Sequence, residues 1–527
     1  MTGICNAKDF LYLRPLEKNM GIIIRQSIKG TLVNYLGVAI GFVTTFFVMT
    51  SYLSTEEVGL ARVMIDAAVL FSSFAQIGTA SSIIRFFPYF KDEEGKYHGF
   101  FFWTLVVPVV GFLIYLLVWT LFKQTFINMF TEKSPLFVNY LRFVIPLTLF
   151  MLYQSVFEAN SNVLMRIVVP KLVREVGVRV GLLITYLLYG FHVITLDGLV
   201  IGFCLTYLIA VAIDIAYLFS LQKISLKPDL KFISKPLARD FVLFSLLMTL
   251  TAIAGNTPLL SSFFVSAQMG LGFTGIFAIA NYIATVIEIP NRSLNAIASP
   301  NLADAIKNED WNRAQSLCKN VSLHLLLSSM FIFLLIWVNV DLLFMIMSKG
   351  KDYETGKSVI FILGMARLVT STFFVCGNAL NFSKHYHFAL FFTLLLTALV
   401  IVFNVVLIPR FGINGSALAT LGSYIIYYIA MMLFVRYKIH ISIFSKGQLK
   451  VVAIILGLFA LNLLWTKTLT PLFMMLPCKE LIAAIIEGAI RTSLLVGIGV
   501  ALTYYWNVSA EVNNLILKAA GTLRKNR

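Results

Sequence analysis

An uncharged run of 26 residues, from Gly30 to Thr55, constrains the fold of this chain more than any other feature. About 20 apolar residues are enough for a helix to cross the hydrocarbon core of a bilayer. After a turn at 54–59, the chain enters a second apolar segment, which carries Arg62 and Asp66 and ends near Pro88. The two segments predict a transmembrane hairpin with an ion pair inside its second helix. Charge inside a membrane is costly and usually has a function.

Composition extends this prediction to the whole chain. Hydrophobic residues make up 59% of the 527 residues and charged residues 13%, which excludes an ordinary soluble protein. We predict an all-α, polytopic membrane protein with fourteen spans. The uncharged stretch 241–287 must contain two helices, with a turn at 268–272. The predicted spans lie near 31–53, 58–82, 99–122, 136–157, 169–189, 198–219, 241–265, 274–297, 320–340, 357–378, 387–408, 415–435, 450–466 and 481–506.

Lysine and arginine predict how the spans are oriented. Of the 42 such residues, 29 fall in segments on the side of the two termini, eight on the opposite side and five within spans. Both termini are therefore predicted to be cytoplasmic. The net charge of +17 is explained by this topology and by contact with anionic lipids. We expect the lipid bilayer as a partner and no nucleic acid.

The cysteines and the N-terminus add little. Five cysteines are scattered without a CxxC or other paired spacing, which predicts neither a disulfide framework nor a thiolate metal site. We expect no metal and no cofactor. Residues 1–29 are mixed polar and contain no apolar core of a cleavable signal. Translation starts at Met1 or at Met20, so the first nineteen residues are either a tail or a start-site artefact.

An internal repeat organises the chain. The recurring pairs are Gly59 and Gly275, Asn160 and Asn378, and Gly198 and Gly415, at offsets of 216, 218 and 217 residues. Near-constant offsets predict two six-helix halves followed by two added helices. An even number of spans gives both halves the same orientation, as in transporters built from parallel repeats. Duplication retained for packing alone is the alternative, and intramembrane charge favours a transporter.

Three motifs, taken in order, resemble those of a known family. They are the turn 54–60 after the first span (STEEVGL), the segment from Gly78 to Arg85-Phe86-Phe87-Pro88, and the segment 409–420 (PRFGINGSALAT) between spans eleven and twelve. With fourteen spans, this set resembles the polysaccharide-flippase branch of the multidrug/oligosaccharidyl-lipid/polysaccharide exporter superfamily. The resemblance covers essentially everything from Met20 to the C-terminal tail.

The resemblance implies both an architecture and an activity. It implies a V-shaped fold of two lobes without nucleotide hydrolysis, in a bacterial cytoplasmic (inner) membrane. It implies a flippase that moves an isoprenoid-diphosphate-linked oligosaccharide to the outer leaflet for O-antigen, capsule or exopolysaccharide assembly, with a polysaccharide polymerase or other assembly proteins as potential partners. The expected parts are a cytoplasmic tail (1–30), an N-lobe (31–220), a basic cytoplasmic linker (221–240), a C-lobe (241–436) and a C-terminal part with spans 13 and 14 and a cytoplasmic tail (437–527).

Charged residues within spans are the candidates for the substrate cavity. Arg62 and Asp66 share a helix face because they are four residues apart. Asp66 is expected roughly 12 Å into its span, since a helix rises 1.5 Å per residue. We favour a position in the cleft over snorkelling of Arg62 to the outer interface. Only the first half of the repeat carries this pair, which suggests an asymmetric feature such as an outer gate.

Three further arginines are candidates for the same cavity. Arg142 lies near the outer end of span four, and Arg179 lies mid-span with Glu175 one turn away, so a structural ion pair competes there. Arg367 lies mid-span in span ten without a carboxylate within four residues, so another helix or a ligand must satisfy it. A planar guanidinium suits a diphosphate, because it binds phosphate oxygens in bidentate fashion.

Four residues are candidates for a coupling ion. Glu288 is the deepest carboxylate of the second half, and it carries a coupling proton or balances Arg367. Asn256, Asn404 and Thr420 fall at places that resemble the cation site of some members of the superfamily. Because no carboxylate accompanies them, sodium coupling is doubtful.

Two other functions compete with the flippase. A cation-coupled drug or organic-cation antiporter of the same fold would need acidic residues to dominate the cleft. The candidate charges within spans are mainly arginines, which argues against an antiporter. A membrane polysaccharide polymerase or glycosyltransferase would need large outer loops or a carboxylate-rich catalytic loop, and the longest outer loop, roughly 341–356, is short. We therefore expect a protein that is not an enzyme and has no catalytic residues.

Overall fold

The computed structural model describes residues 33–92, 96–221, 227–229, 232, 234–474, 480–514 and 517–518. The predicted N-terminal tail, the choice between Met1 and Met20, and parts of the linker and the C-terminal tail lie outside the described residues. Within the described part the chain is helical and contains no strand. The predicted all-α class is confirmed.

The helices follow one another with short connections. In chain order they are α1 (Val33–Tyr52), α2 (Thr55–Ala75), α3 (Thr79–Phe86), α4 (Phe100–Thr131), α5 (Pro135–Val163), α6 (168–190), α7 (Leu196–Ser220), α8 (Lys235–Gly255), α9 (Thr257–Met269), α10 (Leu271–Thr285), α11 (Ile289–Lys307), α12 (Trp311–Val338), α13 (Val340–Ile346), α14 (Lys357–Phe382), α15 (Phe388–Phe411), α16 (Ile413–Lys438), α17 (Lys446–Thr468), α18 (Thr470–Met474) and α19 (Glu480–Tyr505).

Thirteen stretches within the described residues are long and apolar enough to cross a membrane, against fourteen predicted from the sequence. The difference is α6, which forms at the predicted place from the segments Val168–Leu172, Val173–Gly177 and Val178–Gly190. This helix differs from the other thirteen because it carries four charged residues: Lys171, Arg174, Glu175 and Arg179. The helix forms at the predicted place, but its charges keep it out of the set of thirteen apolar stretches.

Local sequence signals set the helix boundaries. Ser54 caps α2: its side chain accepts a hydrogen bond from the backbone N–H of Glu57 (3.2 Å), while the Glu57 carboxylate accepts from the Ser54 N–H (2.8 Å). Gly270 separates α9 from α10 with a φ of 97°, a value that glycine adopts far more readily than other residues. The turn predicted at 268–272 is therefore confirmed. The stretch 241–287 contains parts of three helices instead of the predicted two, because α8 ends at Gly255 and α9 begins at Thr257.

The chain divides into two compact units, Met1–Leu259 and Leu260–Arg527. The first unit contains α1 to α8, so α8, which the repeat assigns to the C-lobe, packs here against α2 and α3. Side chains fix this contact: the hydroxyls of Ser82 and Ser245 lie 2.7 Å apart, and Asn256 donates to Ser73 over 2.7 Å.

Both units use the same packing scheme. In the first unit α5 packs against α2 and α7, and in the second unit its counterpart α14 packs against α10 and α16. The repeated glycines occupy matching places: Gly59 and Gly275 are each the fifth residue of their helices, and Gly198 and Gly415 are each the third. The offset found in the sequence therefore corresponds to a repeated structure.

The two added helices belong to the second unit. The pair α17 and α19 forms at the predicted places and packs with α12 around a buried aliphatic cluster, whose members include Leu334, Leu458 and Leu495. Burial of such side chains stabilises a contact by roughly 1.5–3 kcal/mol each in water. In a membrane, close packing supplies most of the corresponding stabilisation.

Candidate functional site

The predicted ion pair of α2 is present. Arg62 donates from Nε to Oδ2 of Asp66 over 2.7 Å, and the side chain of Arg62 is 30% exposed, whereas that of Asp66 is 4% exposed. The Asp66 carboxylate is therefore the enclosed partner. The arginine covers it from a more open side.

Two tyrosines extend this pair towards α6 and α7. Tyr186 of α6 is buried and lies close enough to interact electrostatically with Arg62. Tyr207 of α7 does so with both Asp66 and Arg179. Three of the predicted cavity residues, Arg62, Asp66 and Arg179, therefore lie around these two tyrosines.

Arg179 is engaged in structural contacts. Its Nη2 donates to Glu175 over 3.1 Å, one turn earlier on α6, and its Nη1 donates to the carbonyl oxygen of Gly37 on α1. The structural pair that competed with a substrate role is thus the observed arrangement. Arg142, in contrast, is exposed: its guanidinium lies over the ring of Phe143, 5.0 Å from the ring centroid.

We expect removal of the two partners of the α2 pair to have unequal effects. Arg62→Met leaves the enclosed Asp66 without its guanidinium and should cost about 3–5 kcal/mol of stability. Asp66→Asn leaves a partly exposed arginine, which solvent can satisfy, and should cost roughly 1 kcal/mol. Thermal unfolding of both variants in the same detergent measures the difference. Equal losses would contradict the assignment of Asp66 as the buried partner.

A second site lies in the other unit around Arg367 of α14. Its Nη1 lies 3.4 Å from both carboxylate oxygens of Glu288, and its Nη2 donates to Oδ1 of Asn281 over 2.8 Å. Glu288 reaches it from the single turn Val286–Glu288 between α10 and α11, just before Pro290. Glu288 therefore lies where it can balance Arg367, and its role as a carrier of a coupling proton stays a prediction.

The guanidinium is enclosed but not fully satisfied. Arg367 is 8% exposed, and its Nε is buried without a hydrogen-bond partner among the described residues. Tyr424 and Tyr428 of α16 lie close enough to interact electrostatically with Arg367 or Glu288. One arginine donor is therefore unpaired among the described residues, close to polar side chains of α10, of the turn 286–288 and of α16.

The coupling-ion candidates separate into three places. Asn404 and Thr420 come together through Ser416, whose hydroxyl donates to Asn404 Oδ1 over 2.7 Å and whose carbonyl accepts from Thr420 over 3.0 Å. Ser261 lies 3.3 Å from the Thr420 hydroxyl. Asn256 instead donates to Ser73 and to its own helix. Glu288 belongs to the Arg367 site.

These polar groups bond to one another. Asn404 uses its amide Nδ2 for the carbonyl oxygen of Val400 over 2.8 Å as well as its Oδ1 for Ser416, so the cluster is largely satisfied internally. Among the described residues, no group of three or more His, Cys, Asp or Glu side chains has an arrangement that could hold a metal ion.

The pair at Glu487 and Arg491 of α19 is fully embedded. Glu487 accepts from Trp465 over 2.8 Å and from Thr470 over 2.9 Å, and Arg491 lies 3.5 Å from it and donates to the Val338 carbonyl. These contacts join α17, α18, α19 and α12. They are those of a structural pair within the C-terminal helices.

Sequence reasoning missed several residues of these sites. Tyr186, Tyr207 and Tyr424 belong to them only because helices distant in sequence pack together, and nothing in the sequence distinguishes them from other tyrosines. Asp214 was visible: it is the only charged residue between Gly198 and Gln222. An isolated carboxylate within a predicted span was a signal for a buried acid.

Comparison with solved structures identifies the fold. The chain is similar to the lipid II flippase MurJ in an inward closed conformation, with a TM-score of 0.67 and 13% sequence identity over 90% of this chain and 98% of that chain. It is similar to an inward-facing multidrug resistance MATE family transporter of the MOP superfamily, with a TM-score of 0.60 and 14% identity over 80% of this chain and 98% of that one.

A third similarity is to the MATE multidrug transporter DinF-BH in complex with a ligand, with a TM-score of 0.54 and 16% identity over 79% of this chain and 95% of that chain. No protein-family model matches the sequence, and no curated protein matches it. The fold is therefore that of MurJ and the MATE transporters. At these identities the similarity concerns fold alone.

Proposed function

We propose that this protein is a flippase that moves an isoprenoid-diphosphate-linked oligosaccharide across the cytoplasmic membrane for surface polysaccharide or lipopolysaccharide synthesis. One observation carries the proposal: similarity to the lipid II flippase extends over 90% of the chain, whereas the MATE transporters cover 79–80%. A match over 90% of the chain can include α17 and α19, which follow the twelve spans of the repeat.

The chemistry of Arg367 supports a phosphate-bearing substrate. Its guanidinium is held by Glu288 and Asn281 in a fixed orientation, and its Nε remains without a partner among the described residues. Arginine forms its strongest hydrogen bonds with carboxylate and phosphate oxygens. A diphosphate that replaces Glu288 as its anion would satisfy the guanidinium fully. The two repeats would then provide alternating access.

A cation-coupled drug antiporter is the second candidate, and the ion pairs favour it more than the sequence did. Each of the arginines at 62, 179, 367 and 491 contacts a carboxylate, so the intramembrane sites are not simply cationic. The expected excess of positive charge, which argued against an antiporter, is therefore absent at these four positions. A direct transport measurement must separate the two functions.

We expect the purified protein in vesicles to move polyprenyl-diphosphate-linked N-acetylglucosamine between leaflets. The lipid is placed in both leaflets, and a membrane-impermeant galactosyltransferase with its labelled donor modifies only sugars facing outward. If the protein is a flippase, nearly all of the lipid is modified. In empty vesicles, modification stops when about half of the lipid has reacted. Vesicles loaded with ethidium, a fluorescent organic cation, serve as the second arm. Export of ethidium without lipid movement would establish the antiporter and refute the flippase.

A deletion strain gives an independent measurement in cells. Loss of the gene should cause a lipid-linked oligosaccharide to accumulate on the inner leaflet and surface glycan to disappear. Re-expression of the chain should reverse both effects. Unchanged glycan in the deletion strain would contradict the proposal, and the accumulated lipid would name the natural sugar.

A further inference from the structure

Asp214 is a buried carboxylate that the proposed transport does not use. It lies on α7, and the residue is 1% exposed. Neither of its carboxylate oxygens has a hydrogen-bond partner among the described residues. Asp66 and Glu487, which are also buried, each contact an arginine. Asp214 therefore differs from these two enclosed carboxylates.

Its surroundings are apolar. Val211 and Leu218, about one turn to either side of Asp214 on α7, form a buried cluster with Phe157 of α5. Tyr153 packs on the same cluster, but its hydroxyl donates to the carbonyl oxygen of Leu105 over 3.1 Å. The hydroxyl of Tyr153 therefore already donates to an acceptor other than Asp214.

The charged groups near Asp214 are engaged with one another. Arg174 lies 2.6 Å from Glu158 and 3.0 Å from Glu175, and Arg179 lies 3.1 Å from Glu175. These contacts form a network of two arginines and two glutamates that begins at Glu158 on α5 and continues along α6. It ends where Arg179 donates to the carbonyl oxygen of Gly37 on α1. Lys171 interacts with Glu158 from the start of α6. Tyr207, on the same helix as Asp214, interacts with Asp66 and Arg179.

An ionised Asp214 would be a buried negative charge without a hydrogen-bond partner among the described residues. Glu158 is near enough to repel it electrostatically. Removing an ion from water costs several kcal/mol even after the protein relaxes, and a buried group without a partner takes its neutral form instead. Two neighbouring acids that repel each other cannot both ionise cheaply.

We propose that Asp214 is a proton-binding site of the first unit, which holds a proton while α5 and α7 are packed and releases it to water when they separate. Release leaves a carboxylate that repels Glu158 and so weakens the contact of Glu158 with Arg174. Because Arg174 is linked through Glu175 to Arg179, ionisation of Asp214 loosens the contact between α6 and α1. This inference does not depend on which substrate the protein moves.

Infrared spectroscopy tests the site directly, because a protonated carboxylic acid absorbs at a different wavenumber from a carboxylate. The full chain is placed in lipid vesicles, and difference spectra are recorded as the pH is raised from neutral. We expect a carboxylic acid band at neutral pH that is lost at alkaline pH, and that is absent from Asp214→Asn. Absence of the band from the unaltered protein, or its persistence in Asp214→Asn, would overturn the proposal.

Glu487→Gln is the matched control, since Glu487 is equally enclosed but accepts from Trp465 and Thr470. It should leave the band unchanged, and loss of the band there would assign it to Glu487 and refute the proposal. If Asp214→Asn does not fold, the test uses Glu158→Gln, a variant that retains Asp214. Removing the neighbouring negative charge should move the loss of the band to lower pH. An unmoved midpoint would count against the proposal.

Discussion

Replacing Arg367 with alanine should abolish transport, and it should also lower the amount of folded protein. Glu288 loses the guanidinium that lies 3.4 Å from its carboxylate, and Asn281 loses its donor. Breaking an enclosed ion pair by removing one partner costs about 3–5 kcal/mol. Transport of the lipid-linked sugar must therefore be expressed per folded protein, which is measured by fluorescence size-exclusion chromatography.

The double variant Arg367→Met with Glu288→Leu separates binding from stability. Replacing both members of an ion pair with apolar residues of similar size is often neutral or stabilising, so the folded amount should recover. If Arg367 binds a diphosphate, transport stays lost, since a hydrogen bond to a charged group contributes about 1.5–3 kcal/mol. That contribution corresponds to a loss of roughly tenfold or more.

The pair Glu487 and Arg491 provides the matched control. It has the same residue types within one span, and its contacts are confined to the C-terminal helices and Val338. We expect Glu487→Leu with Arg491→Met to retain transport per folded protein. Recovery of transport in the Arg367 and Glu288 double variant would show that this pair is structural too, and would refute the role of Arg367 in substrate binding.

The sequence was sufficient for features that depend on neighbouring residues. The turn at Gly270 and the pair of Arg62 with Asp66 follow from composition or from spacing along one helix. The repeat was also visible, because glycines recur where α2 and α10, or α7 and α16, begin. These signals are local, so their interpretation did not require knowledge of the packing.

Long-range contacts could not be predicted in the same way. Arg367 contacts Glu288 and Asn281, which lie 79 and 86 residues away in sequence. The sequence indicated that Arg367 needed a partner, but not which helix supplied it. The same reason separates Asn256 from Asn404 and Thr420: the resemblance to a cation site of the superfamily suggested one site, whereas each residue bonds to whichever helix packs beside it.

The asymmetry between the two repeats becomes clearer once these contacts are known. Asn281 lies next to Tyr282, the counterpart of Asp66 at the offset of the repeat, and it accepts from Arg367. The first unit therefore has an arginine and a carboxylate on one helix, whereas the second brings its arginine from α14. Each repeat thus contains a guanidinium paired with a carboxylate, by a different route. This argues for a requirement for polarity beyond simple packing.

Substitution of Gly78 by alanine should destabilise the first unit strongly. Gly78 joins α2 to α3 with a φ of 61°, where a residue with a Cβ costs about 1–2 kcal/mol. A Cβ there would also meet the carbonyl oxygen of Ser245 and, at 2.9 Å, the Cβ of Met248 on α8. Overpacking of a close contact adds roughly 1–3 kcal/mol.

Gly457→Ala in α17 is the control, since nothing lies within 4 Å of the position that its Cβ would take. Glycine inside a helix is less favourable than alanine by about 0.5–1 kcal/mol, so this variant should melt at a slightly higher temperature. The melting temperature in detergent should therefore fall for Gly78→Ala and rise for Gly457→Ala, although both replace glycine with alanine. If Gly78→Ala melts at or above the temperature of the unaltered protein, α8 does not pack on the α2–α3 turn as described. The Ser82–Ser245 contact would then no longer be a valid anchor for α8 in the first unit.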